Sequence, residues 1–341
     1  MMGPDFLAGA LAHPRLGVVV IGRNEGERLV DCLESVRALD VPLVYVDSGS
    51  SDGSVARARE LCDRVIELDP ARPFSAARAR NVGFERLLSE LPSIEFVQFL
   101  DGDCTVLPQW LAAAEAAMAG ELRRAVVVGE LRERRPHASV YNRMCALEWR
   151  SPAGDLQNFG ALGGIMFVRA PVFRTLGGFN EMMIAGEDSE FGVRVCIAGF
   201  TITKLDLPMA THDANILHFT QWWKRAVRGG HAIGQRAQLQ GATAVRDCVR
   251  ERRSTWLWGI ALPVLALGLA VPTHGQSLAL AAAYPLLGWR VYRYRRSCDD
   301  EPSDARLYAG FTMMGKLANG LGLLQFYLNR RKRRYRLIEY K

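Results

Sequence analysis

The 341-residue sequence has no C-x-x-C pair, no zinc-finger spacing, no aromatic RNA-binding signature and no basic zipper. Those absences set aside dithiol redox chemistry, structural zinc and the commoner nucleic-acid modules, so no nucleic-acid partner is expected. The seven cysteines (Cys32, Cys62, Cys104, Cys145, Cys196, Cys248 and Cys298) are scattered and odd in number. That is the pattern of reduced, mostly buried thiols in a cytosolic compartment rather than of a disulfide framework. Residues 1–13 lack a basic leading segment and hold only a short apolar stretch, which argues against a cleaved signal peptide. No G-x-G-x-x-G follows the first apolar run; Gly22-Arg23-Asn24-Glu25-Gly26 stands there and disfavours a dinucleotide-binding dehydrogenase. Internal repeats and low-complexity segments are absent too.

What is present is an uneven distribution of charge and apolar residues. The formal net charge is +7, and much of the excess lies at 246–253 and 330–336, bracketing an apolar region that begins near Thr255. Cationic clusters around apolar sequence suit an acidic membrane surface better than nucleic acid.

Hydrophobic periodicity divides the first two thirds into repeated strand, polar turn and helix. A β-branched run at 16–21 predicts a strand buried on both faces, with a helix at 25–39. A second strand at 43–46 ends in Asp47-Ser48-Gly49-Ser50-Ser51-Asp52-Gly53, before a helix at 54–62. Strands at 64–68 and 94–100 flank a helix at 75–88, and the latter strand runs directly into Asp101-Gly102-Asp103. Further on, helices are expected at 108–118, 139–150 and 189–198, and strands at 125–129, 165–169 and 201–205. This pattern predicts an α/β fold with a mainly parallel central sheet flanked by helices, and ligands at the carboxyl ends of its strands.

An α-helical, membrane-associated region is expected to follow. Residues 255–273 approach the length of a bilayer span, 277–291 form a shorter apolar stretch, and Pro272-Thr273-His274-Gly275-Gln276 makes a turn between them. Arginines before and after predict a hairpin with both ends cytoplasmic, so the chain would sit at the cytoplasmic face of the inner membrane. Residues 307–328 read as an amphipathic helix in the interface. The competing reading makes these segments buried helices of a second soluble domain. The resulting division is a tail at 1–15, a catalytic domain at 16–213, interfacial basic and aromatic helices at 214–254, the hairpin at 255–292, and a loop, amphipathic helix and basic tail at 293–341.

Among the polar clusters, Asp101-Gly102-Asp103 carries the most chemistry. Two carboxylates around one small residue, at the end of an apolar strand, suit a hydrated Mg2+ or Mn2+ together with a ribose hydroxyl or a metal-bound water. Asp47 closes the second strand and is an acceptor for a nucleobase N–H or a ribose hydroxyl, whereas Asp52 or Ser51 caps the following helix. Arg78 and Arg80 fall at a helix start, where one can reach a pyrophosphate. Asp188, in Gly186-Glu187-Asp188-Ser189, reads either as a catalytic carboxylate or as a first-turn helix acid. His212, preferred over His218, either completes the metal site or is a hydrogen-bonded structural histidine. Trp222 and Trp223 with Arg225 and Arg228 suit headgroup level or an acceptor site.

Taken in their order along the chain, five segments resemble family-two inverting glycosyltransferases of the nucleotide-diphospho-sugar transferase fold, over roughly residues 16–218. They are Val18-Val19-Val20-Ile21-Gly22-Arg23-Asn24-Glu25, Val46 to Ser54, Ala79-Arg80-Asn81-x-Gly83, Phe99-Leu100-Asp101-Gly102-Asp103, and Gly177-Gly178-Phe179-Asn180-Glu181 with Gly186-Glu187-Asp188. The resemblance implies that Asn24, Glu25, Asp47, Arg80, Asp101 and Gly102 bind the nucleotide sugar, with Asp47 on the base. It implies that Asp103, with Asp101 and His212, holds the metal. Asp188 would be the catalytic base, with Glu187 beside it positioning the acceptor or the helix start. Many members carry two acids where this chain has Asp47-Ser48, and a proline where it has Gly22.

Those assignments imply a metal-dependent inverting transfer from a nucleotide-diphosphate donor to a lipid-linked or cell-envelope glycan acceptor. The alternatives are a non-catalytic nucleotide-sugar-binding membrane protein and, less favoured, the dehydrogenase.

Overall fold

The computed structural model describes residues 15–62, 64–156 and 162–332. Most of the N-terminal tail and the end of the basic tail therefore lie outside the described residues. The chain begins with β1 (Leu16–Gly22), α1 (Glu27–Arg37), β2 (Leu43–Asp47), α2 (Ser54–Leu61), β3 (Val65–Glu67), α3 (Ala76–Glu90) and β4 (Phe96–Asp101). Strands β1, β2, β3 and β4 pair only in parallel with one another, and Ile21 stands opposite Asp101 while Gly22 stands opposite Asp47. The ends of the first loop, the Asp47 turn and the Asp101 turn are thus brought to one edge of the sheet.

Val18, Val19 and Val20 are wholly buried because alternate side chains enter separate apolar layers. Val19, Val44, Val97 and Phe99 pack on one face, and Val18, Val20, Tyr45 and Leu100 on the other. Fully burying a side chain of this size contributes about 1.5–3 kcal/mol, which is why the apolar runs dictate the middle of the sheet.

After β5 (Cys104–Val106), α4 (Trp110–Ala119), β6 (Arg124–Glu133), α5 (Val140–Glu148) and β7 (Gly154–Asp155), the pattern departs from expectation. β8 (Met166–Arg169) lies between β4 and β6 and is antiparallel to both. α6 (Ala170–Thr175), α7 (Glu187–Ile197) and β9 (Thr201–His212) complete this half; β9 is parallel to β6 but antiparallel to β5 and β7. The sheet is therefore mixed, not mainly parallel. The physical reason is where the chain turns back. α5 follows the carboxyl end of β6, and β8 starts from that same edge, so no crossover returns the chain to the far side and β8 runs in reverse.

The C-terminal third is helical: α8 (Phe219–Gln240), α9 (Val249–Trp256), a π-helical segment at Leu257–Ala261, α10 (Leu262–Gly268), a 3-10 segment at Gln276–Ala282, α11 (Ala283–Ser297) and α12 (Pro302–Lys332). Among the described residues no helix is long and apolar enough to cross a membrane. The expected spanning hairpin is corrected accordingly: its first leg ends at Gly268 and its second opens as a 3-10 segment. α12, expected as a separate interfacial helix, packs on α8 instead. A Cβ at Gly322 would fall 1.9 Å from the Val227 carbonyl oxygen, and one at Gly230 would fall 2.1 Å from that of Asn319. The two helices touch backbone to backbone there, which only glycine allows.

Candidate active site

A cavity of about 890 Å3 opens between the carboxyl edge of the sheet and the α8–α12 pair. Asn24, Glu25, Arg80, Asp101, Asp103, Glu187 and Asp188 all line it, so residues far apart in the chain converge on one space.

Local hydrogen bonding explains how each is held. Asn81 on α3 binds both polar groups of Phe179, donating to its carbonyl at 2.8 Å and accepting from its N–H at 2.9 Å. The Gly177–Glu181 segment is thereby fastened to the helix that carries Arg80. From α3, Arg80 donates through Nη1 to Glu187 Oε1 and through Nη2 to Asp101 Oδ1, each at 2.6 Å. Its guanidinium is buried, and so is Glu187, while Asp101 remains partly open to the cavity. Burial acts to lower the Arg80 pKa, but the charges of Asp101, Glu187 and Asp188 outweigh it and raise it.

Asp188 is buried in the first turn of α7, and its Oδ2 accepts from the N–H groups of Gly163 (2.7 Å) and Gly164 (3.2 Å). Burial, reinforced by the neighbouring Glu187 charge, raises its pKa above the ordinary aspartate range. Gly164 has φ +70°, and a Cβ there would meet Arg80 Nη2 at 2.4 Å. This glycine pair was missed at the level of sequence, where only its placement ahead of an apolar strand marked it.

Asp47 is placed differently from the expectation. Its carboxylate is almost fully buried and accepts from Tyr45 Oη, Ser50 Oγ, and the N–H groups of Gly49 and Ser50. Those four bonds turn it into its own loop, and the neighbouring Ser48 lines the cavity in its stead. Asn24 is tied to the same loop, donating from its backbone to Ser50 Oγ and accepting from the Ser51 N–H. Glu25 pairs with Arg28 at 2.8 Å. Gly102 donates to the Ile21 carbonyl at 2.7 Å, holding the D-x-D turn against the end of β1. Asp52 caps from just outside α2, accepting from the Ser54 N–H, and also receives the Gly26 N–H.

Asp103 Oδ1 lies 3.4 Å from His212 Nε2, and together with Cys104 these groups could hold a metal ion. Adjacent ligands of an octahedral Mg2+ or Mn2+ at about 2.1 Å stand roughly 3 Å apart, so the Asp103–His212 pair fits such an ion. Cys104 suits it less well: its soft sulfur is a poor match for a hard Mg2+ or Mn2+, and it is wholly buried, with burial, then the Asp101 charge, pushing its thiol pKa well up. Asp101 stays on Arg80 instead of joining the group. Glu133, missed at the level of sequence, approaches the buried Nδ1 of His212 to 3.9 Å, and Trp149 meets the imidazole edge-on at 4.7 Å.

The opposite wall comes from α8 and α12. Trp222, Arg225, Arg228 and Arg236 of α8 and Tyr308, Phe311, Lys316 and Asn319 of α12 line it, and the Trp222 and Phe311 rings meet at 4.8 Å. Arg225 pairs with Glu148 at 2.7 Å, and Arg236 grips Asp247 with two bonds. Burial lowers the Lys316 pKa.

Residues 17–175 match the family described as glycosyl transferase family 2. The chain is 26% identical over 273 residues to glycosyltransferase AglE of Haloferax volcanii, covering 76% of this chain and 83% of that protein. In fold it is similar to the mannosyltransferase PcManGT from Pyrobaculum calidifontis in complex with GDP-Man and Mn2+ (TM-score 0.61, 18% identity, covering 94% of this chain and 89% of that one). It is also similar to S. aureus TarS 1-349 in complex with UDP (TM-score 0.52, 15% identity, covering 94% and 92%). The likenesses to these two solved structures show the fold, a mixed sheet flanked by helices.

Proposed function

We propose that the chain is a metal-dependent, inverting glycosyltransferase moving a sugar from a nucleoside-diphosphate donor to a lipid-linked or cell-envelope glycan acceptor. The observation that carries this reading is the convergence of Asp101, Asp103, Glu187 and Asp188, with Arg80 among them, on one cavity. The Mn2+ and nucleotide sugar named for the mannosyltransferase neighbour support the donor class and a divalent ion, Mg2+ or Mn2+.

In a single displacement, the acceptor oxygen bonds to the anomeric carbon as the bond to the donor's diphosphate oxygen breaks. The electron pair leaves with the diphosphate, and the acceptor proton passes to a carboxylate. Asp188 is suited to take it: burial raises its proton affinity, and the Gly163 and Gly164 N–H groups fix its orientation. Arg80 holds Glu187 and Asp101 in fixed positions on either side of its guanidinium. A divalent ion held by Asp103 and His212 would neutralise the departing diphosphate. The cationic and aromatic wall from α8 and α12 is left for the acceptor.

The test is nucleoside diphosphate release from a panel of nucleotide sugars, with and without Mg2+ or Mn2+, and NMR assignment of the product anomer. Metal-dependent release with inversion is expected. Donor binding without release from any donor would make the cavity a binding site only, and a product of retained configuration would remove the single displacement.

A further inference from the structure

We propose that the helical hairpin at 249–297 docks into one leaflet of an anionic lipid bilayer, a surface property that does not depend on the catalytic reading. The hairpin is built as a unit. Ser277 Oγ donates to the Ala266 carbonyl at 2.7 Å, and Tyr284 Oη donates to the Trp258 carbonyl, so polar bonds join its two legs beside the Trp258–Tyr284 ring contact. Its apolar side chains face outward instead: Val264, Leu267 and Val271 are 63%, 70% and 86% exposed, and Leu257, Leu286 and Trp289 are more than half exposed. Large apolar side chains grouped this way on a folded protein mark an interaction surface.

Three observations choose a bilayer as the occupant. The first is charge: residues 249–297 contain seven arginines against one carboxylate, Glu251, with Arg295 paired to Asp300. A second copy seated symmetrically on this face would bring the same positive charge against itself, whereas an anionic bilayer attracts it. The second is the position of the aromatic groups. Trp256 and Trp289 stand beside the basic ends of the two legs, and Arg293 stacks on Trp289 at 5.0 Å, as expected where apolar sequence meets headgroups. The third is length. The helical run at 257–268 rises only about 18 Å, roughly half of the ~30 Å hydrocarbon core, so it suits one leaflet and not a span.

The hairpin also adjoins the cavity. Lys316 lines the cavity and donates to Ser254 Oγ at the hairpin's base, at 3.1 Å. A Cβ at Gly259 would fall 2.2 Å from the Lys316 carbonyl oxygen, so α12 and the hairpin are in backbone contact. Docking therefore holds the α8–α12 wall close to the headgroups, where a membrane-borne substrate would be met.

The test is flotation of the full chain with vesicles of phosphatidylcholine alone or of phosphatidylcholine with phosphatidylglycerol, alongside a double variant, Val264→Glu with Leu267→Glu. Both positions are exposed, so the variant is expected to keep its circular dichroism and melting temperature. The chain should float with the anionic vesicles several-fold better than with the neutral ones, and the variant should float on the order of tenfold less. Failure to float with either vesicle, or equal flotation of the variant, would overturn the proposal. So would a dimer by light scattering that the same variant disperses, since that result assigns the face to a second copy. Flotation needs no turnover: an Asp188→Asn chain should float normally, so loss of transfer alone would bear on the catalytic reading and not on this one.

Discussion

Arg80 Nη1 stands 2.6 Å from Glu187 Oε1, although 107 residues separate the two in the chain. This contact joins α3 to the first turn of α7, and through the second guanidinium nitrogen it also reaches Asp101 at the end of β4. Replacing Arg80 by Met should leave Glu187 buried beside Asp101 without its cation. Breaking a buried pair in this way costs roughly 3 kcal/mol. Chemical denaturation at pH 7 should show that loss.

Asp188→Asn should reduce kcat by roughly 10²–10⁴-fold while donor affinity is preserved, measured by product release and by calorimetry. In the wild type, a base must be ionised to accept a proton. Since burial raises the Asp188 pKa, activity should fall on the acid side through a pKa above the ordinary 3.8. The stability sign is opposite. A carboxyl whose folded pKa is raised favours folding when protonated, and that contribution is lost as pH rises through the folded value. At pH 7 the uncharged Asn should therefore give an equal or higher melting temperature, even as it slows turnover.

His212→Ala and Asp103→Asn should each weaken Mn2+ binding roughly tenfold or more, followed by calorimetry or by the Mn2+ paramagnetic resonance signal without any substrate. Cys104→Ala should leave that affinity unchanged, because a soft, wholly buried sulfur is a poor ligand for a hard ion. Equal losses at all three positions would return the thiol to the ligand set.

Gly322→Ala should prise α8 from α12, because the new methyl would meet the Val227 carbonyl oxygen. Overpacking of this kind costs about 1–3 kcal/mol. The melting temperature should drop, and acceptor-dependent turnover should suffer more than donor binding if the α8–α12 wall receives the acceptor as proposed.

Much of the site was legible before the fold was known, for a physical reason. A strand buried on both faces must be continuously apolar, so the abrupt change from Phe99-Leu100 to Asp101-Gly102-Asp103 marks the sheet edge wherever it occurs. The helices expected from 75 and 139 do start there, where Ser75 and Ser139 cap α3 and α5 by accepting the N–H groups of Arg78 and Asn142. Asp47 was legible as a strand end but not in its direction. Two glycines and three serines around it could have meant a ligand loop, and only the folded turn shows its oxygens drawn inward by Tyr45, Gly49 and Ser50.

The apolar C-terminal third misled for a related reason. Length and hydropathy report how much apolar surface a segment has, not what covers it. Residues 307–328 read as an interfacial helix because a crossing would put the basic run at 330–334 on the outer side; in the fold their polar members Lys316 and Asn319 line the cavity.

The sequence by itself determined the strands, the turns at their ends and the chemical types gathered there, because backbone propensity and burial act over a few neighbouring residues. Tertiary structure alone decided that β8 runs in reverse, that Gly163 and Gly164 donate to Asp188, and that α12 closes the cavity. Each of those depends on the path by which distant segments meet, and close approach of two backbones leaves no periodic signature in either one.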